Sequence, residues 1–200
     1  MKLEYFIPKT RSITLYVVLL AVLAALTTVA TISIAIPFPT STGFLNFGDT
    51  LVMLSGLLLG PTGGFFAGGL GSALGDIALG YFHFAPITLV VKGCEGLVVG
   101  IFSIRVKESA RLAKWDIIGL ILASIVMMTG YFLAEIPLLG YEVALAELFT
   151  INWMQVTVGS IVTAAVGPPI RNFLRGSLYV FEDDITELDE EALTETEQIG

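Results

Sequence analysis

Charge is scarce in this sequence. Charged residues occupy 14% of its 200 positions, whereas a soluble globular domain carries about 25%. Apolar and aromatic residues occupy 55%, and the mean hydropathy is +0.86. Such a chain has too little polar surface to fold as a globule in water, which excludes most soluble enzymes and all disordered proteins. The composition predicts an integral membrane protein.

Residues that support catalysis and metal binding are equally scarce. The one cysteine, Cys94, cannot form an internal disulfide, and the one histidine, His83, cannot supply a metal site of the usual kind. The sequence has no phosphate-binding loop (GxxxxGK followed by Ser or Thr), no Gly-x-Ser-x-Gly motif and no basic face for nucleic acid. We therefore expect no enzyme activity, metal, cofactor or nucleic-acid partner. Any ATP must be hydrolysed by another subunit.

The negative charge is concentrated at the end of the chain. Positions 181–200 hold nine of the 18 acidic residues and no basic residue. The remaining nine acidic and ten basic residues leave the rest of the chain at a net charge of +1. Blocks of like charge are typically solvated, and we predict an acidic cytoplasmic tail over residues 176–200.

Long uncharged runs predict six membrane-spanning helices. The first covers Ser12–Ile36, 25 uncharged residues, more than the roughly 20 that cross a bilayer and too long for a signal peptide. The next run is broken at Gly60–Gly64, where proline and clustered glycine predict a tight turn. The predicted helices are 12–36, 47–60, 63–80, 87–104, 116–137 and 149–171, with a loop over 138–148. We expect residues 12–175 to form one all-α bundle, preceded by a cytoplasmic segment over 1–11.

The basic residues predict the orientation of this bundle. Seven of the ten lie in the segments 1–11 and 105–115. Two more, Arg171 and Arg175, lie at the end of the last predicted helix and just after it. The loops on the other side, 37–46, 81–86 and 138–148, contain no Lys or Arg. Because short cytoplasmic loops are enriched in Lys and Arg, both termini are predicted to be cytoplasmic.

Polar residues gather at the predicted outer ends of the helices. A concave site with a few convergent polar groups and aromatic walls is typical of a small-molecule pocket. We therefore predict a substrate site that opens outward and is formed by Asn46, Asp49, Asp76, Tyr81, His83, Lys92, Glu95, Tyr131, Glu135, Asn152, Trp153 and Gln155.

Lys92 is the one basic residue in the interior of a predicted helix, since Arg171 is the last residue of the sixth. A charge within the bilayer is unfavourable and usually marks a functional path or a paired contact. Glu95 follows three residues later, on the same helical face. If Lys92 binds the ligand, Lys92→Ala should weaken binding by about 1.5–3 kcal/mol, the range for hydrogen bonds to charged groups. The alternative is an ion pair that only fixes helix packing.

Small residues recur at a spacing of four. Gly56 and Gly60, Gly64 and Gly68, Gly71 and Gly75, and Gly96 and Gly100 show it, as do Ala21 and Ala25 on the first helix. This spacing lets helix backbones approach closely in lipid. We predict internal packing for the glycines, whereas the alanine pair is equally suited to a partner protein.

Several separated segments, in order, resemble a known family. They are Gly43–Asp49, Leu57–Pro61, Gly68–Asp76, Ala85–Pro86 and Lys92–Gly96. With them the chain resembles the substrate-binding S components of energy-coupling factor (ECF) vitamin transporters. The most similar branch is the riboflavin-type branch, which includes carriers for hydroxymethylpyrimidine and pyridoxine-like compounds.

The resemblance implies a function and its partners. It implies a six-helix bundle that binds a vitamin on the outer side of a prokaryotic cell membrane. It also implies a complex with a transmembrane T component and two cytoplasmic ATPases. In this family a small-residue patch on the first helix contacts the T component, and Ala21 and Ala25 match that patch. We expect a hydroxymethylpyrimidine- or pyridoxine-type ligand, with riboflavin next.

Three other functions are compatible with the residues alone. The chief alternative is a self-contained, proton-coupled secondary carrier for a small polar metabolite, with Lys92, Glu95 and Asp76 as a proton relay. An intramembrane enzyme acting through His83 or the carboxylates has no nucleophile–base arrangement to support it. A scaffold protein would leave every small-molecule assay unchanged after Lys92→Ala.

Overall fold

The described part of the chain is built from helices and one short pair of strands. The computed structural model describes residues 12–33, 35–37, 44–106 and 111–178. The predicted segment 1–11 lies outside the described residues, and so does the predicted acidic tail from residue 179 onward. The elements are α1 (Ile13–Ser33), β1 (Ile36–Pro37), β2 (Phe44–Leu45), α2 (Gly48–Ala78), α3 (Ala85–Ser103), α4 (Lys114–Leu139), α5 (Tyr141–Glu147), a π-helical segment (Leu148–Asn152) and α6 (Trp153–Leu178).

The helix α2 reverses direction at Gly60. This residue has φ 76° and ψ −168°, a conformation that L-residues with a Cβ rarely adopt. Beyond it the second arm of α2 packs against the first arm. Their contact is close, since a Cβ added at Gly68 would lie 2.8 Å from Cγ1 of Val52. The predicted turn at Gly60–Gly64 is confirmed, although helical geometry resumes directly at Pro61, where proline suits the first turn of a helix.

Five segments are long and apolar enough to span a membrane. They are α1, α2, α3, α4 and the run Tyr141–Leu174. Each arm of the bent α2 is shorter than the roughly 20 residues that cross a bilayer as a straight helix. The count of six spans and the orientation of the termini therefore stay predictions, while the structure confirms a predominantly helical bundle with five segments able to span a membrane.

The predicted loop over 138–148 is wrong, because most of it is helical. Helix α4 ends at Leu139. The next residue, Gly140, has φ 90°, and α5 begins directly after it at Tyr141. Alanine, leucine and glutamate dominate Tyr141–Glu147, and all three are good helix formers. Pro137 lies inside α4 and does not end it. The chain passes from α5 through the π-helical segment into α6 without an irregular loop.

The core forms where α2 crosses α3, and α2 is the most buried of the spanning helices. Gly64 faces Gly96 at this crossing, where a Cβ added at Gly64 would lie 2.6 Å from the Gly96 carbonyl carbon. No side chain fits there, so internal packing is confirmed for these two glycines. The close approach brings the first turns of α2 and the middle of α3 together.

One end of the bundle, which we call the basic end, carries Arg105, Arg111, Lys114 and Arg171. Here the guanidinium of Arg171 on α6 donates to both carboxylate oxygens of Asp116 on α4, at 2.6 and 3.0 Å. Asp116 Oδ2 also accepts the backbone N–H of Ala113 at 3.0 Å. This buried pair joins α4 to α6 and satisfies the first turn of α4.

Candidate functional site

A small polar cavity lies at the opposite end of the bundle, which we call the cavity end. Its volume is about 50 Å³. Every described helix except α1 contributes to its wall, as do the segments before α2 and before α3. The lining residues are Asn46, Asp76, Tyr81, Phe84, Thr88, Tyr131, Glu135, Glu147, Ile151, Asn152 and Gln155.

Seven of the twelve residues predicted for the substrate site line this cavity. They are Asn46, Asp76, Tyr81, Tyr131, Glu135, Asn152 and Gln155. They come from positions more than 100 residues apart in the chain. The fold therefore brings together residues for which the sequence predicted only a similar depth in the membrane.

Lys92, Asp49 and Glu95 form a buried ionic cluster, which we call the triad, outside the cavity wall. The ammonium of Lys92 is in direct contact with Asp49 Oδ1 and lies 3.2 Å from Glu95 Oε2. All three side chains are at most 3% exposed. The predicted pairing of Lys92 with Glu95 is present, and Asp49 is a second partner. Two carboxylates thus face one ammonium, and Asp49 Oδ2 and Glu95 Oε1 have no hydrogen-bond partner among the described residues.

Tyr131 connects the triad to the cavity. The Lys92 ammonium lies 5.5 Å from the centre of the Tyr131 ring, within the range of a cation–π contact. The Tyr131 hydroxyl donates to Thr88 Oγ1 at 2.9 Å, and the Thr88 hydroxyl in turn hydrogen-bonds Asp76. Since Tyr131, Thr88 and Asp76 all line the cavity, the triad supports one side of its wall.

Four buried polar atoms on the cavity wall have no hydrogen-bond partner among the described residues. They are Asp76 Oδ2, Glu135 Oε2, Glu147 Oε1 and Asn152 Nδ2. Each of these side chains is at most 5% exposed. Buried polar groups in proteins are nearly always hydrogen-bonded. Four such atoms around one cavity make it a candidate binding site for a polar molecule.

Glu135 and Glu147 face each other across the junction of α4 and α5. Their carboxyl groups are hydrogen-bonded to each other. A carboxylate only accepts hydrogen bonds, so this contact requires a proton on one of the two groups. Glu135 Oε2 and Glu147 Oε1 remain without a hydrogen-bond partner among the described residues.

Two predicted residues lie away from the cavity. His83 is exposed on the segment between α2 and α3, and the neighbouring Phe84 lines the cavity instead. Trp153 is 56% exposed and lines an apolar groove between α4 and α6. Asn152 and Gln155, on either side of Trp153, point to the cavity because they occupy the opposite face of the helix.

Four cavity residues were absent from the predicted site, namely Phe84, Thr88, Glu147 and Ile151. Glu147, Ile151 and Gln155 are spaced by four, as residues on one helical face are. That pattern could have identified Glu147 and Ile151, but the assignment of 138–148 to a loop concealed it. Thr88 precedes Lys92 by four residues and was also accessible from the helical periodicity.

The exposed face of α1 holds the predicted partner-binding residues. Ala21 and Ala25 are both exposed, and so are the neighbouring Val18, Val22 and Val29. This face is free for lipid or for another protein. Among the described residues, no group of three His, Cys, Asp or Glu side chains is arranged to hold a metal ion.

Comparison with known proteins places this sequence in a family. Residues 12–174 match the family described as ECF-type riboflavin transporter, S component. The chain is 42% identical over 140 residues, 70% of this chain and 90% of the relative, to an "uncharacterized protein in gap 3'region" of Pyrococcus woesei. It is 28% identical over 153 residues, 76% of this chain and 85% of the relative, to the "thiamine precursor transporter HmpT" of Lactococcus lactis subsp. cremoris strain MG1363. The chain is therefore a multi-pass membrane protein that belongs to the ECF-type riboflavin transporter S component family.

Proposed function

We propose that this protein is the non-enzymatic substrate-binding subunit of an ECF-type importer and captures a vitamin or vitamin precursor in the cavity. The observation that carries the proposal is the set of four unpartnered polar atoms on the cavity wall, from Asp76, Glu135, Glu147 and Asn152. A ligand with complementary hydrogen-bonding groups satisfies them and recovers the free energy that their desolvation costs. The aromatic rings of Tyr81 and Phe84 offer apolar surface to a planar ring.

The size of the cavity favours a ligand with one ring. An apolar cavity of about 150 Å³ accommodates benzene, and the cavity here measures about 50 Å³. A pyrimidine or pyridine needs a modest opening of the wall, whereas the three fused rings of a flavin need a much larger one. The relative from Lactococcus lactis carries the name of a thiamine precursor transporter. We therefore propose a hydroxymethylpyrimidine- or pyridoxine-type ligand first and riboflavin second.

The first experiment is to purify the chain in detergent and identify any co-purified small molecule by denaturing mass spectrometry. Thermal shifts against riboflavin, thiamine, hydroxymethylpyrimidine and the B6 vitamers accompany it. A bound vitamin with a matching thermal shift supports the proposal and names the substrate. A protein that none of these compounds occupies or stabilises contradicts it.

The variant Asn152→Ala tests whether the cavity is the binding site. Asn152 Nδ2 is one of the four unpartnered atoms, so its removal should weaken ligand binding about 10-fold, as expected for one buried hydrogen bond. Thr157→Ala is the matched control, because Thr157 is exposed on α6 and its hydroxyl bonds only the Trp153 carbonyl. Equal affinities of the two variants would place the ligand elsewhere.

Energy for transport is proposed to come from a T component and two ATPases. The exposed small-residue face of α1 at Ala21 and Ala25 supports the T component as its occupant, because small residues allow close helix packing. Replacing both with leucine should reduce co-purification with the T component and leave ligand affinity unchanged. Intact co-purification would move the proposed interface away from α1.

A proton-coupled carrier is the second candidate function. The hydrogen-bonded series from Tyr131 through Thr88 to Asp76, beside the triad, favours it because such a series suits proton transfer. Vesicles that contain only this chain decide the matter. Uptake driven by a pH gradient without ATP would establish the carrier, whereas uptake that requires ATP and the added ATPases supports the importer.

A further inference from the structure

The cavity end holds a large excess of carboxyl groups over basic groups. Three carboxyl side chains line the cavity and two belong to the triad: Asp76, Glu135, Glu147, Asp49 and Glu95. Among the described lining residues there is no Lys, Arg or His. Even with one proton shared between Glu135 and Glu147, four carboxylates face the single ammonium of Lys92.

Lys92 cannot offset this charge for a ligand. Its ammonium contacts Asp49 and Glu95, which already outnumber it. The side chain is 3% exposed and lies outside the cavity wall, with the Tyr131 ring beside it. A ligand in the cavity therefore meets carboxylate oxygens without a neighbouring free cation on the described wall.

The unpartnered atoms show which ligand groups fit. Asp76 Oδ2, Glu135 Oε2 and Glu147 Oε1 are acceptors, and they outnumber the single donor, Asn152 Nδ2. They belong to α2, α4, α5 and the π-helical segment, so they approach the cavity from different sides. Amino and hydroxyl groups of a ligand satisfy the three oxygens, while one ring nitrogen or carbonyl oxygen suits Asn152.

Anionic groups are disfavoured by the same arrangement. A phosphate or carboxylate brings only acceptors to a wall that needs donors. Its charge also lies close to buried carboxylates, where the low local dielectric strengthens repulsion. Hydration of the anion is lost on entry with no basic residue on the described wall to replace it.

We infer that the cavity selects its ligand by charge: it binds neutral or cationic heteroaromatic compounds that carry amino or hydroxyl donors, and it rejects their phosphorylated or carboxylated forms. This inference rests on the proposed function, which makes the cavity the substrate site. It adds that the protein distinguishes a vitamin from its anionic derivatives, and it attributes this selectivity to Asp76, Glu135 and Glu147.

The test compares matched ligands on the purified wild-type chain in detergent. The pairs are hydroxymethylpyrimidine and its phosphate ester, pyridoxamine and its 5′-phosphate, and riboflavin and its 5′-phosphate. Isothermal titration calorimetry gives each affinity. Whichever vitamin skeleton binds, the unphosphorylated member should bind at least roughly 100-fold more tightly, because like charges at close range in a buried site are strongly unfavourable.

Variants assign the discrimination to the cavity carboxyl groups. The double variant Glu135→Gln with Glu147→Gln keeps the shape and removes the charge of the pair, so it should weaken the unphosphorylated ligand about 10-fold and narrow its advantage over the phosphate ester. Asp76→Asn is the second variant, in case the first one does not fold. Glu142→Gln is the control, since Glu142 is exposed on the same short helix α5, and it should change neither affinity.

The outcomes separate the inference from the proposed function. Equal or tighter binding of a phosphorylated member overturns the charge rule and leaves vitamin binding intact. An unchanged ratio in both the Glu135→Gln/Glu147→Gln double variant and Asp76→Asn overturns the assignment to these residues. Absence of binding by every member of all three pairs, together with no co-purified small molecule, overturns the proposed function and the inference with it.

Discussion

At the basic end of the bundle Arg171 and Asp116 meet in a two-point ion pair, whereas at the cavity end Lys92 faces two carboxylates. The Arg171 pair has one charge of each sign, and Asp116 uses both of its oxygens, at 2.6 and 3.0 Å. In the triad the charges are unequal, and Asp49 Oδ2 and Glu95 Oε1 have no hydrogen-bond partner among the described residues.

We propose that the difference separates a purely structural ion pair from one that supports the candidate site. A matched, hydrogen-bonded pair leaves little capacity for another molecule, so its role is to hold α4 against α6. An unmatched cluster with unfilled acceptors lowers stability, since buried carboxylates lose their hydration. The triad lies next to a cavity whose carboxyl oxygens also have no described hydrogen-bond partner. This arrangement is compatible with a site in which a bound ligand donates the missing hydrogen bonds.

The largest effect is expected from Lys92→Met. This change leaves two buried carboxylates without a counter-ion and should lower the free energy of unfolding by about 3–5 kcal/mol, the range for breaking a buried pair. Thermal denaturation in detergent, with and without ligand, measures it. Undiminished stability combined with a large loss of affinity would show that Lys92 binds the ligand directly and would break the contrast with Arg171.

A smaller effect is expected from Arg171→Met, about 3 kcal/mol, because one carboxylate is left unpaired. The double variant Arg171→Met with Asp116→Asn sharpens the comparison. Asparagine still accepts the Ala113 N–H, and no buried charge remains, so most of the lost stability should return. Ligand affinity should stay at the wild-type value in the double variant, measured by calorimetry. A lower affinity there would mean that the basic end also acts on the cavity.

The smallest effect is expected from Tyr131→Phe, which removes one hydroxyl between the triad and the cavity. Losing the hydrogen bond to Thr88 should cost about 1 kcal/mol of stability. Affinity for the ligand should fall by a similar amount, because Thr88 then holds Asp76 less firmly. Tyr141→Phe is the control, since Tyr141 is exposed on α5. Identical ligand affinities of the two variants would show that the Tyr131 hydroxyl does not link the triad to ligand binding in the cavity.

Much of this organisation was accessible from hydropathy and spacing. The break at Gly60, the use of glycines such as Gly64 and Gly96 for internal packing, and the pairing of Lys92 with Glu95 three residues later all follow from local rules. Seven cavity residues were identified because polar side chains are conspicuous in an apolar chain. Trp153 was included for the same reason, and its exposed position on the α4–α6 side shows the weakness of selecting by depth alone.

The remaining site residues depend on contacts between distant segments. Asp49 and Lys92 are 43 residues apart, and Asp116 and Arg171 are 55 apart. No periodicity connects such positions. Glu147 was hidden because helix boundaries near Pro137 and Gly140 are read poorly from sequence, and the loop assignment removed its helical face from view.

The sequence by itself determined that this protein belongs in a membrane, where most of its spanning segments lie, and which stretches carry polar side chains. These properties depend on residues that are close together in the sequence, because the free energy of transferring a helix into lipid depends on the composition of that helix. Only the tertiary structure decided that Asp49 joins Lys92, that Glu147 meets Glu135, and that Asp76, Glu135 and Asn152 surround one cavity. Those contacts depend on the distance between crossing helices and on the rotation of each helix about its axis. The backbone contact of Gly64 with Gly96 and the turn at Gly60 fix both for the helices that they join.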